Sequence, residues 1–480
     1  MKLAAALRFL PPPHLHDTCI NSKDYGGKRD VIAFVGAGGK TTALFHLARE
    51  LAPSVVTTTT HLGDWQFSHA DHHILLTGDG LTSNRSLQFT SGVTLVTGSV
   101  DEDRLIGLNN RCIKWLHELS YNSNSPLLIE ADGSRQKPLK APATHEPVIP
   151  PFTDLVIVVA GLTGLDAPLT KRTIHRPEIF ASLCGMEMGN KVTAQAVVRV
   201  LTHPNGGLKG IPESARRVAL INQADTPGLL SIGGKMAQEL LEVFDAVLVG
   251  TLQPEKMRTF EPVAGIILAA GEGKRYGKPK QLLEWRGKPF VRHVTEAAIA
   301  AGLSPVVIVT GSHAEGVEAA IKDLPVQIIH NPNWQSGQAS SIRVGLSNLS
   351  LPLPSISVFS SLRGDKGKVV EGWLGSKKVG AAIFLLADQP QVTSTVLRSL
   401  VERHTEDLNP IIAPQVNGQR ANPVLFDRVV FQSLMSLGGN VGGRAVFSMF
   451  PITYLPWPDE NLLLDVDTPQ DYTRLLELTT

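Results

Sequence analysis

The chain has 480 residues, a formal net charge of +1 and a hydrophobic content of 42%. This length predicts two or three domains, and the near-neutral charge gives no electrostatic argument for nucleic acid or an anionic membrane as partner. The three cysteines, Cys19, Cys112 and Cys184, lie far apart without metal-ligand spacing. We therefore expect neither a disulfide framework nor a structural zinc site, and a reducing, cytoplasmic environment.

Residues 1–29 are interpreted as a leader. They begin with MKLAAALRFLPPP, in which a short apolar run is followed by three prolines instead of a small-residue cleavage site. We expect a short helix here rather than a signal peptide. No apolar run approaches the roughly 18 residues of a membrane span, so no membrane-spanning segment is predicted.

The next pattern is an apolar strand, Val31–Val35, a Gly-rich loop and a helix. The loop GAGGKTT is close to a P-loop, although Phe34 stands where the pattern GxxxxGK[ST] has its first glycine. In such a loop, glycines let the backbone approach phosphates, the lysine reaches the β and γ oxygens, and the threonine holds Mg²⁺. The alternative is a Gly-rich turn with an incidental lysine. The predicted P-loop-like nucleotide site comprises Gly36, Gly38, Gly39, Lys40, Thr41 and Thr42.

Two later strands end in polar residues that belong with this loop. One apolar strand ends in Glu130 and Asp132, where an acid could hold Mg²⁺, so Thr41 and Asp132 are possible metal ligands. A second strand ends in Asn222-Gln-Ala-Asp225, which is similar to the guanine-reading NKxD motif but lacks its lysine. Asn222 and Asp225 are candidate contacts for a bound nucleotide, either ATP or GTP. A solvated charged loop is the alternative.

The motifs GAGGKTT, TTTTH, EADGS, PLKAP, HEP, HRPE and the NxAD strand together resemble the YqeC-type family. The resemblance implies an accessory role in maturing selenium-dependent molybdenum hydroxylases, with such an apoenzyme as a possible partner, but it names no reaction. We predict a YqeC-like, P-loop-type α/β domain over 30–254, followed by a polar linker over 255–262.

The alternation of strands and helices resumes at Val263, and an α/β domain with a mostly parallel, Rossmann-like sheet is predicted over 263–480. Its first strand runs into the Gly-rich loop Ala269–Gly277. Asp388 follows the apolar strand Ala381–Ala387, and Asp465 and Asp467 are predicted to end another strand. Because parallel strands end at one edge of a sheet, these acids are expected to form a Mg²⁺ site beside the loop. Taken singly, each would more often be a cap or turn residue.

The motifs LAAGEGKRYGKPKQLL, HNPNW, LLADQP, NGQRANPVLF and LDVDTPQDY resemble the MobA/MocA nucleotidyltransferases, most closely molybdenum cofactor cytidylyltransferase. The resemblance covers nearly all of 263–475. It implies Mg²⁺-dependent transfer of CMP from CTP to the terminal phosphate of molybdopterin, with release of pyrophosphate. The residues carried over are Arg275 and Lys280 on the triphosphate, Asp388, Asp467 and the nearby Asp465 for Mg²⁺, and Leu268, Ala269, Ala270, Gly271, Gly273, Gly337 and Ser341 around the nucleotide. On the pterin side the resemblance implies Asn422, Pro423 and the glycines between 438 and 443.

Four details qualify this resemblance. LAAG, where guanylyl enzymes carry LAGG, favours CTP over GTP. Tyr276 replaces a usual methionine, Ala421 a frequent glycine and Asn440 a frequent aspartate. The alternatives are a guanylyltransferase, another nucleotidyltransferase acting on a phosphorylated small molecule, or a maturation chaperone that uses nucleotide as a switch. The stretch 351–379 is predicted to be a surface excursion.

Overall fold

The computed structural model describes residues 1–11, 29–76, 89–101, 104–273, 276–349 and 379–478. The chain divides into two compact units, of which the first ends at Phe260 and the second begins at Glu261. Each unit has its own large sheet. Cys19, Arg275 and nearly all of the predicted excursion at 351–379 lie outside the described residues.

The first unit is an α/β structure whose strands mostly alternate with helices. Its strands are β1 (Val31–Gly36), β2 (Ser54–Thr58), β3 (His61–Gly63), β4 (His72–Leu75), β5 (Val93–Thr97), β6 (Val100–Asp101), β7 (Arg104–Ile106), β8 (Leu127–Glu130), β9 (Leu139–Lys140), β10 (Leu155–Gly161), β11 (Ile174–His175), β12 (Arg216–Asn222), β13 (Ala246–Leu252) and β14 (Glu255–Phe260). Its helices are α1 (Leu3–Ala6), α2 (Lys40–Glu50), α3 (Asn110–Asn122), α4 (Pro177–Cys184), α5 (Ala194–Thr202) and α6 (Pro227–Leu240).

The main sheet of this unit has nine strands in the order β14-β13-β12-β10-β1-β8-β2-β5-β4. Its pairings are parallel except that β14 runs antiparallel to β13. Strand β10 is buried along its whole length, as expected where helices cover both faces of a parallel sheet. Strands β1, β8 and β12 therefore end at a common edge, which carries the Gly-rich loop and both polar strand ends.

The predicted linker is instead largely an edge strand of the first unit. Residues 255–260 form β14, in which Met257 and Thr259 are buried and their neighbours are not. The predicted helix near the start of the chain is confirmed as α1, and its residues are buried. Thr259 Oγ1 donates a 3.1 Å hydrogen bond to the Ala6 carbonyl. The first part of the predicted leader is thus part of this unit's core, and the linker prediction is wrong for 255–260.

The second unit is also an α/β structure. Its strands are β15 (Val263–Ala269), β16 (Glu284–Trp285), β17 (Lys288–Pro289), β18 (Val306–Thr310), β19 (Gln327–His330), β20 (Ala381–Leu386), β21 (Ile411–Val416), β22 (Gln419–Arg420), β23 (Val424–Asp427) and β24 (Ile452–Pro456). Its helices are α7 (Phe290–Ala300), α8 (Ala314–Ile321), α9 (Gln338–Ser347), α10 (Ser394–Asp407), α11 (Phe431–Met435) and α12 (Pro469–Glu477).

The sheet of the second unit is mixed: most of its strands run in one direction, and β22 and β23 are reversed. Its order is β19-β18-β15-β20-β23-β21-β22, with β24 paired to β21. The first four strands are parallel, whereas β23 is antiparallel to both β20 and β21. The prediction that Asp465 and Asp467 end a strand is wrong, because the preceding apolar residues form a 3-10 turn, Glu460–Leu463. The ends of β15 and β20 still share one edge, as predicted.

Candidate functional site

In the first unit, the Gly-rich loop after β1 is shaped by close backbone contacts. Gly36 has a φ of +97°, and a Cβ there would lie 2.2 Å from the Val159 carbonyl oxygen. Gly39 has a φ of +116°, and a Cβ there would lie 2.4 Å from Asn222 Nδ2. Only glycine fits such positions without displacing backbone or a buried side chain. Asn222 in turn donates a 2.8 Å hydrogen bond to the Gly38 carbonyl.

The loop brings Lys40 and Thr41 against the acids at the end of β8. Lys40 Nζ lies 3.3 Å from Asp132 and 3.7 Å from Glu130. Thr41 Oγ1 donates a 2.7 Å hydrogen bond to Glu130, not to Asp132. Burial lowers the pKa of Lys40, but Asp132 and Glu130 outweigh that effect and leave the pKa raised. Burial also raises the pKa of Glu130, against the opposing effect of Lys40.

A chain of alternating charges continues from Asp132. Lys140 Nζ lies 2.7 Å from Asp132 and 2.9 Å from Glu146. Arg176 donates two hydrogen bonds, of 2.7 and 2.9 Å, to the two carboxylate oxygens of Glu146. Although burial raises the pKa of Glu146, Arg176 and Lys140 lower it to about 2. The side chains of this chain of charges form ion pairs with one another. Removal of one of them would therefore leave the charge of its partner without a compensating charge.

The backbone donors of this loop are only partly available to a ligand. The N–H of Gly36 donates to Asp132, that of Ala37 to Val159, and that of Gly38 to Lys137. The first N–H groups of α2 have no acceptor within the helix, and such groups can donate hydrogen bonds to a ligand. Thr42 is half-buried in this turn, whereas Asp225 is exposed. The structure thus brings the loop, Asp132 and Asn222 together, and Asp225 lies exposed three residues beyond Asn222.

In the second unit, the loop after β15 is held by a buried glutamine. Gln281 Nε2 donates a 2.9 Å hydrogen bond to the Gly271 carbonyl and a 3.5 Å hydrogen bond to the Ala269 carbonyl. Gly273 has a φ of +72°, and a Cβ there would lie 2.3 Å from the Lys278 carbonyl oxygen. A Cβ on Gly271 would meet no atom within 4 Å. The hydrogen bonds from Gln281 therefore hold the loop backbone, while the space next to the Gly271 Cα contains no protein atoms.

Lys280 joins two of the three predicted metal ligands. Its Nζ lies 2.9 Å from Asp388 and 2.8 Å from Asp467. Burial lowers the pKa of Lys280, but Asp388 and Asp467 outweigh it and leave the pKa raised, so the ammonium form persists. Asp465 is not among the ion-pair partners of Lys280 in the described part of the chain, and its carboxylate accepts a hydrogen bond from Gln389, the residue after Asp388. Its role as a nearby third acid stays a prediction.

The remaining predicted contacts lie on two segments that touch. Asn331 donates hydrogen bonds of 2.8 Å to Ser340 and 3.0 Å to Ser341, and so fixes the first turn of α9. Gly337 precedes this turn with a φ of +110°, and a Cβ there would lie 2.5 Å from the Asn440 Cα. The predicted nucleotide side and the predicted pterin side are thus in backbone contact. Asn422 and Pro423 connect β22 to β23 through a cis peptide bond.

Several residues that shape the two sites were not among the predicted ones. Gln281, Asn331 and Gln389 hold the second unit's loops or acids, and Glu146 and Arg176 complete the charge chain of the first. Each lies in or beside a quoted motif, which is the signal that could have identified it. In the described part of the chain, no three acidic, histidine or cysteine side chains converge as metal ligands, and no helix could cross a membrane.

Comparison with known proteins identifies both halves. The sequence model of the YqeC protein family matches residues 32–178, and that of the MobA-like NTP transferase domain matches 265–453. The Escherichia coli (strain K12) "Uncharacterized protein YqeC" is 35% identical over 201 residues, which are 40% of this chain and 75% of that protein. The second unit has a relative in the "Nicotine blue oxidoreductase" of Paenarthrobacter nicotinovorans, 29% identical over 224 residues, 45% of this chain and 96% of that protein.

Among solved structures, that of Rv0371c from Mycobacterium tuberculosis H37Rv is 27% identical and has a TM-score of 0.36, covering 45% of this chain and 98% of that one. The chain belongs to the YqeC family through its first half, and its second half is a MobA-like domain, so the protein is a nucleotidyltransferase fused to a YqeC domain.

Proposed function

We propose that the second unit transfers CMP from CTP to the terminal phosphate of molybdopterin and releases pyrophosphate. The observation that carries this proposal is the position of Lys280 between Asp388 and Asp467, close to a Gly-rich loop that is open at Gly271. The loop would cradle the triphosphate, with Leu268–Gly271 and Gly273 beside it, and Gly337 and Ser341 would enclose the nucleotide. Arg275 would add positive charge, and Asn422 and Pro423 would lie on the pterin side.

Asp388 and Asp467 fit a magnesium ion. Both carboxylates approach one ammonium group, and their side chains are 30% and 49% exposed. Mg²⁺ takes one or two protein carboxylates together with phosphate oxygens and water, so a third acid is not required. When bound with the nucleotide, the ion would neutralise the developing charge on the phosphates.

The chain's own groups would then position charge rather than move protons. The acceptor phosphate is largely dianionic at neutral pH, because its second pKa is about 6, so its oxygen attacks the α-phosphorus without a general base. The bond to the β-phosphate breaks, and pyrophosphate leaves. Lys280, protonated and held by two carboxylates, would turn to the triphosphate and stabilise the charge that develops on it.

The choice of CTP rests on the LAAG sequence at Leu268–Gly271. The first alternative is GTP as donor, or another phosphorylated small molecule as acceptor. A second alternative is oxidoreductase chemistry, which the name of the Paenarthrobacter relative denotes. A third is a maturation chaperone.

The first unit is proposed to bind a second nucleotide, ATP or GTP, at the loop of Gly36, Gly38, Gly39, Lys40, Thr41 and Thr42. Asn222 supports this loop through Gly38, and Thr41 with Glu130 or Asp132 would hold Mg²⁺. Lys40 would exchange its carboxylate partners for phosphate oxygens. This unit would serve the maturation of a molybdenum hydroxylase, including selenium-dependent ones, by binding the apoenzyme. Nucleotide binding to the full chain, compared between the wild type and Lys40→Ala, tests the first step.

The main experiment measures pyrophosphate release by the full chain, with CTP or GTP, in the presence and absence of molybdopterin. The proposal requires release that depends on CTP, on Mg²⁺ and on molybdopterin together. Pyrophosphate release with GTP instead of CTP would make GTP the donor. Release with a sugar 1-phosphate instead of molybdopterin would make that sugar the acceptor. Redox turnover without pyrophosphate would favour the oxidoreductase. Absence of any turnover, with co-purification of a molybdenum hydroxylase, would favour the chaperone.

A further inference from the structure

Two arginines of the second unit lie together without a carboxylate partner. Arg420 ends β22, and Arg444 lies in the 3-10 turn Gly443–Ser448. The guanidinium carbon of Arg420 lies 4.6 Å from the centre of the Phe447 ring. Among the residues that the structure describes, no acidic side chain forms an ion pair with Arg420 or Arg444. Arg444 is exposed and Arg420 is half-buried.

Two neighbouring guanidinium groups repel each other unless an anion lies between them. Burial lowers the pKa of Arg420, and the charge of Arg444 lowers it further. Stacking on Phe447 holds the planar guanidinium group of Arg420 in one orientation. This reduces the conformational entropy that the side chain loses when an anion binds. Planar guanidinium groups bind phosphate oxygens through paired hydrogen bonds, and two of them match the charge of a phosphate dianion. Such a pair therefore suits an anion.

The sheet register puts this pair on the same edge as Asp388. Strands β20 and β21 run in one direction, because both are antiparallel to β23. In β21, Ile411 is level with Ala382 of β20 through their common partner Phe426. Four residues further on, Gln415 pairs with Arg420.

Arg420 is therefore level with the last residues of β20, just before Asp388. The strand order β15-β20-β23-β21-β22 then puts Asp388 between the Gly-rich loop, which follows β15, and Arg420. This order along the edge suits in-line transfer, in which the attacking oxygen approaches the α-phosphorus from the side opposite the leaving pyrophosphate. The loop lies on one side of the metal-binding acids, and the arginine pair on the other.

We propose that Arg420 and Arg444 bind the phosphate monoester of the acceptor, the group whose oxygen forms the new bond to the α-phosphorus. This inference rests on the proposed nucleotidyl transfer and assigns its acceptor site. The two guanidinium charges balance the dianion and hold it near a triphosphate that would otherwise repel it. No proton needs to be removed, and pyrophosphate is the leaving group.

The first test examines the anion site without using activity. The full chain is treated with phenylglyoxal, which modifies arginine, and each labelled position is followed by mass spectrometry. We expect inorganic phosphate to slow the labelling of Arg420 and Arg444, relative to sodium chloride of equal ionic strength. Arg398, which is exposed and donates to Ser394 Oγ, is the control and should be labelled at the same rate in both salts. If Arg420 were labelled at the same rate with and without phosphate, the proposal of an anion site at Arg420 and Arg444 would be wrong.

The second test measures the acceptor directly. Arg420→Ala and Arg444→Ala should each raise the KM for molybdopterin about ten- to a hundredfold, the effect of losing a charged hydrogen bond, and leave the KM for CTP unchanged. Arg420→Lys keeps the positive charge but loses the planar guanidinium group with its paired donors. Its KM for molybdopterin should therefore lie between those of Arg420→Ala and the wild type. Arg398→Ala should change neither constant. An unchanged KM for CTP also shows that each variant is folded.

The two tests separate the inference from the function on which it rests. If the wild type transfers no nucleotide to molybdopterin, the proposed function fails, while phosphate protection of Arg420 would still identify an anion site. If the wild type is active and both alanine variants keep its KM for molybdopterin, the acceptor assignment is wrong. Protection in the first test would then be caused by an adventitious ion only.

Discussion

Lys280 Nζ donates a 2.8 Å hydrogen bond to Asp467 Oδ1 across 187 residues of the chain. The same ammonium group is 2.9 Å from Asp388. One side chain near the start of the second unit thus holds together two acids that come from its middle and its end. Without a bound nucleotide, Lys280 balances the negative charge of the two carboxylates, which a bound metal ion would balance in its place.

Lys280→Ala and Asp388→Ala should each reduce CMP transfer about a hundredfold or more, because Lys280 would supply positive charge to the reacting phosphates and Asp388 would hold the metal ion that neutralises them. The measurement is pyrophosphate release at saturating CTP. Lys288→Ala is the matched control, since Lys288 forms a 2.7 Å ion pair with Glu296 but lies in another part of the unit. Near-normal turnover in either of the first two variants, with the protein folded, would exclude the proposed site.

Gly271→Ala tests the opening of the loop. A Cβ at Gly271 meets no protein atom within 4 Å, so the variant should fold normally. Its methyl group would extend into the space proposed for the triphosphate and raise the KM for CTP. Gly228→Ala is the control, because a Cβ there meets only the Thr226 hydroxyl, at 3.9 Å. An unchanged KM for CTP in Gly271→Ala would mean that the triphosphate binds elsewhere.

Lys40→Met should destabilise the first unit by roughly 3–5 kcal/mol at neutral pH, because it leaves buried carboxylates without their cation. The folded-state pKa of Glu130 is already raised by burial. The loss should therefore become smaller as the pH falls and the folded protein takes up a proton at Glu130. Hydrogen exchange of α2 at two pH values measures this effect. The exposed Lys114→Ala is the control, and equal exchange in both variants would contradict the prediction.

Glu50 predicts a pH-dependent stability of the first unit. Burial and the neighbouring Glu255 carboxylate raise its pKa to about 8, while the Ala4 N–H donates to it over 2.9 Å. The folded state then holds a proton that the unfolded state releases above its usual pKa of about 4.5. Stability should be highest below that value and fall as the pH rises to about 8. Glu50→Gln should flatten this profile in thermal unfolding, and an unchanged slope would show that another group is responsible.

A fragment of residues 261–480 should retain CTP-dependent pyrophosphate release, because this unit has its own sheet and core. A fragment that begins at residue 255 carries β14 away from its partner β13 and exposes an unpaired strand, which promotes association. Size-exclusion chromatography should therefore show more aggregate for the longer fragment. The opposite order of solubility would contradict this boundary.

Structural features that depend on adjacent residues could be predicted from the sequence, whereas features that depend on contacts between distant segments could not. Gly-rich loops and apolar strands are encoded in adjacent residues, so β1, β15 and β20 were predicted close to their actual bounds. Strand direction depends on distant partners, so the antiparallel β23 was not foreseen. The apolar run before Asp465 fits a strand or a 3-10 turn equally well by composition. The folded chain forms the turn, and the Asp465 carboxylate accepts a hydrogen bond from Gln389.

Strand β14 was missed for a related reason. Only two of its residues are deeply buried, and the others are polar or partly exposed, as is usual at the edge of a sheet. The charge chain through Glu146 and Arg176 depends on contacts between segments 30 residues apart. Such pairs become visible only when the chain is folded.

The close approach of Gly337 and Asn440 has a consequence for how the two substrates affect each other. With no room for a Cβ between these backbones, Gly337 cannot move toward Asn440 unless the Asn440 segment moves as well. A donor that moves Gly337 in this direction would therefore also change the proposed binding surface of the acceptor. By thermodynamic linkage the effect is reciprocal, and each substrate should change the affinity of the other by the same factor.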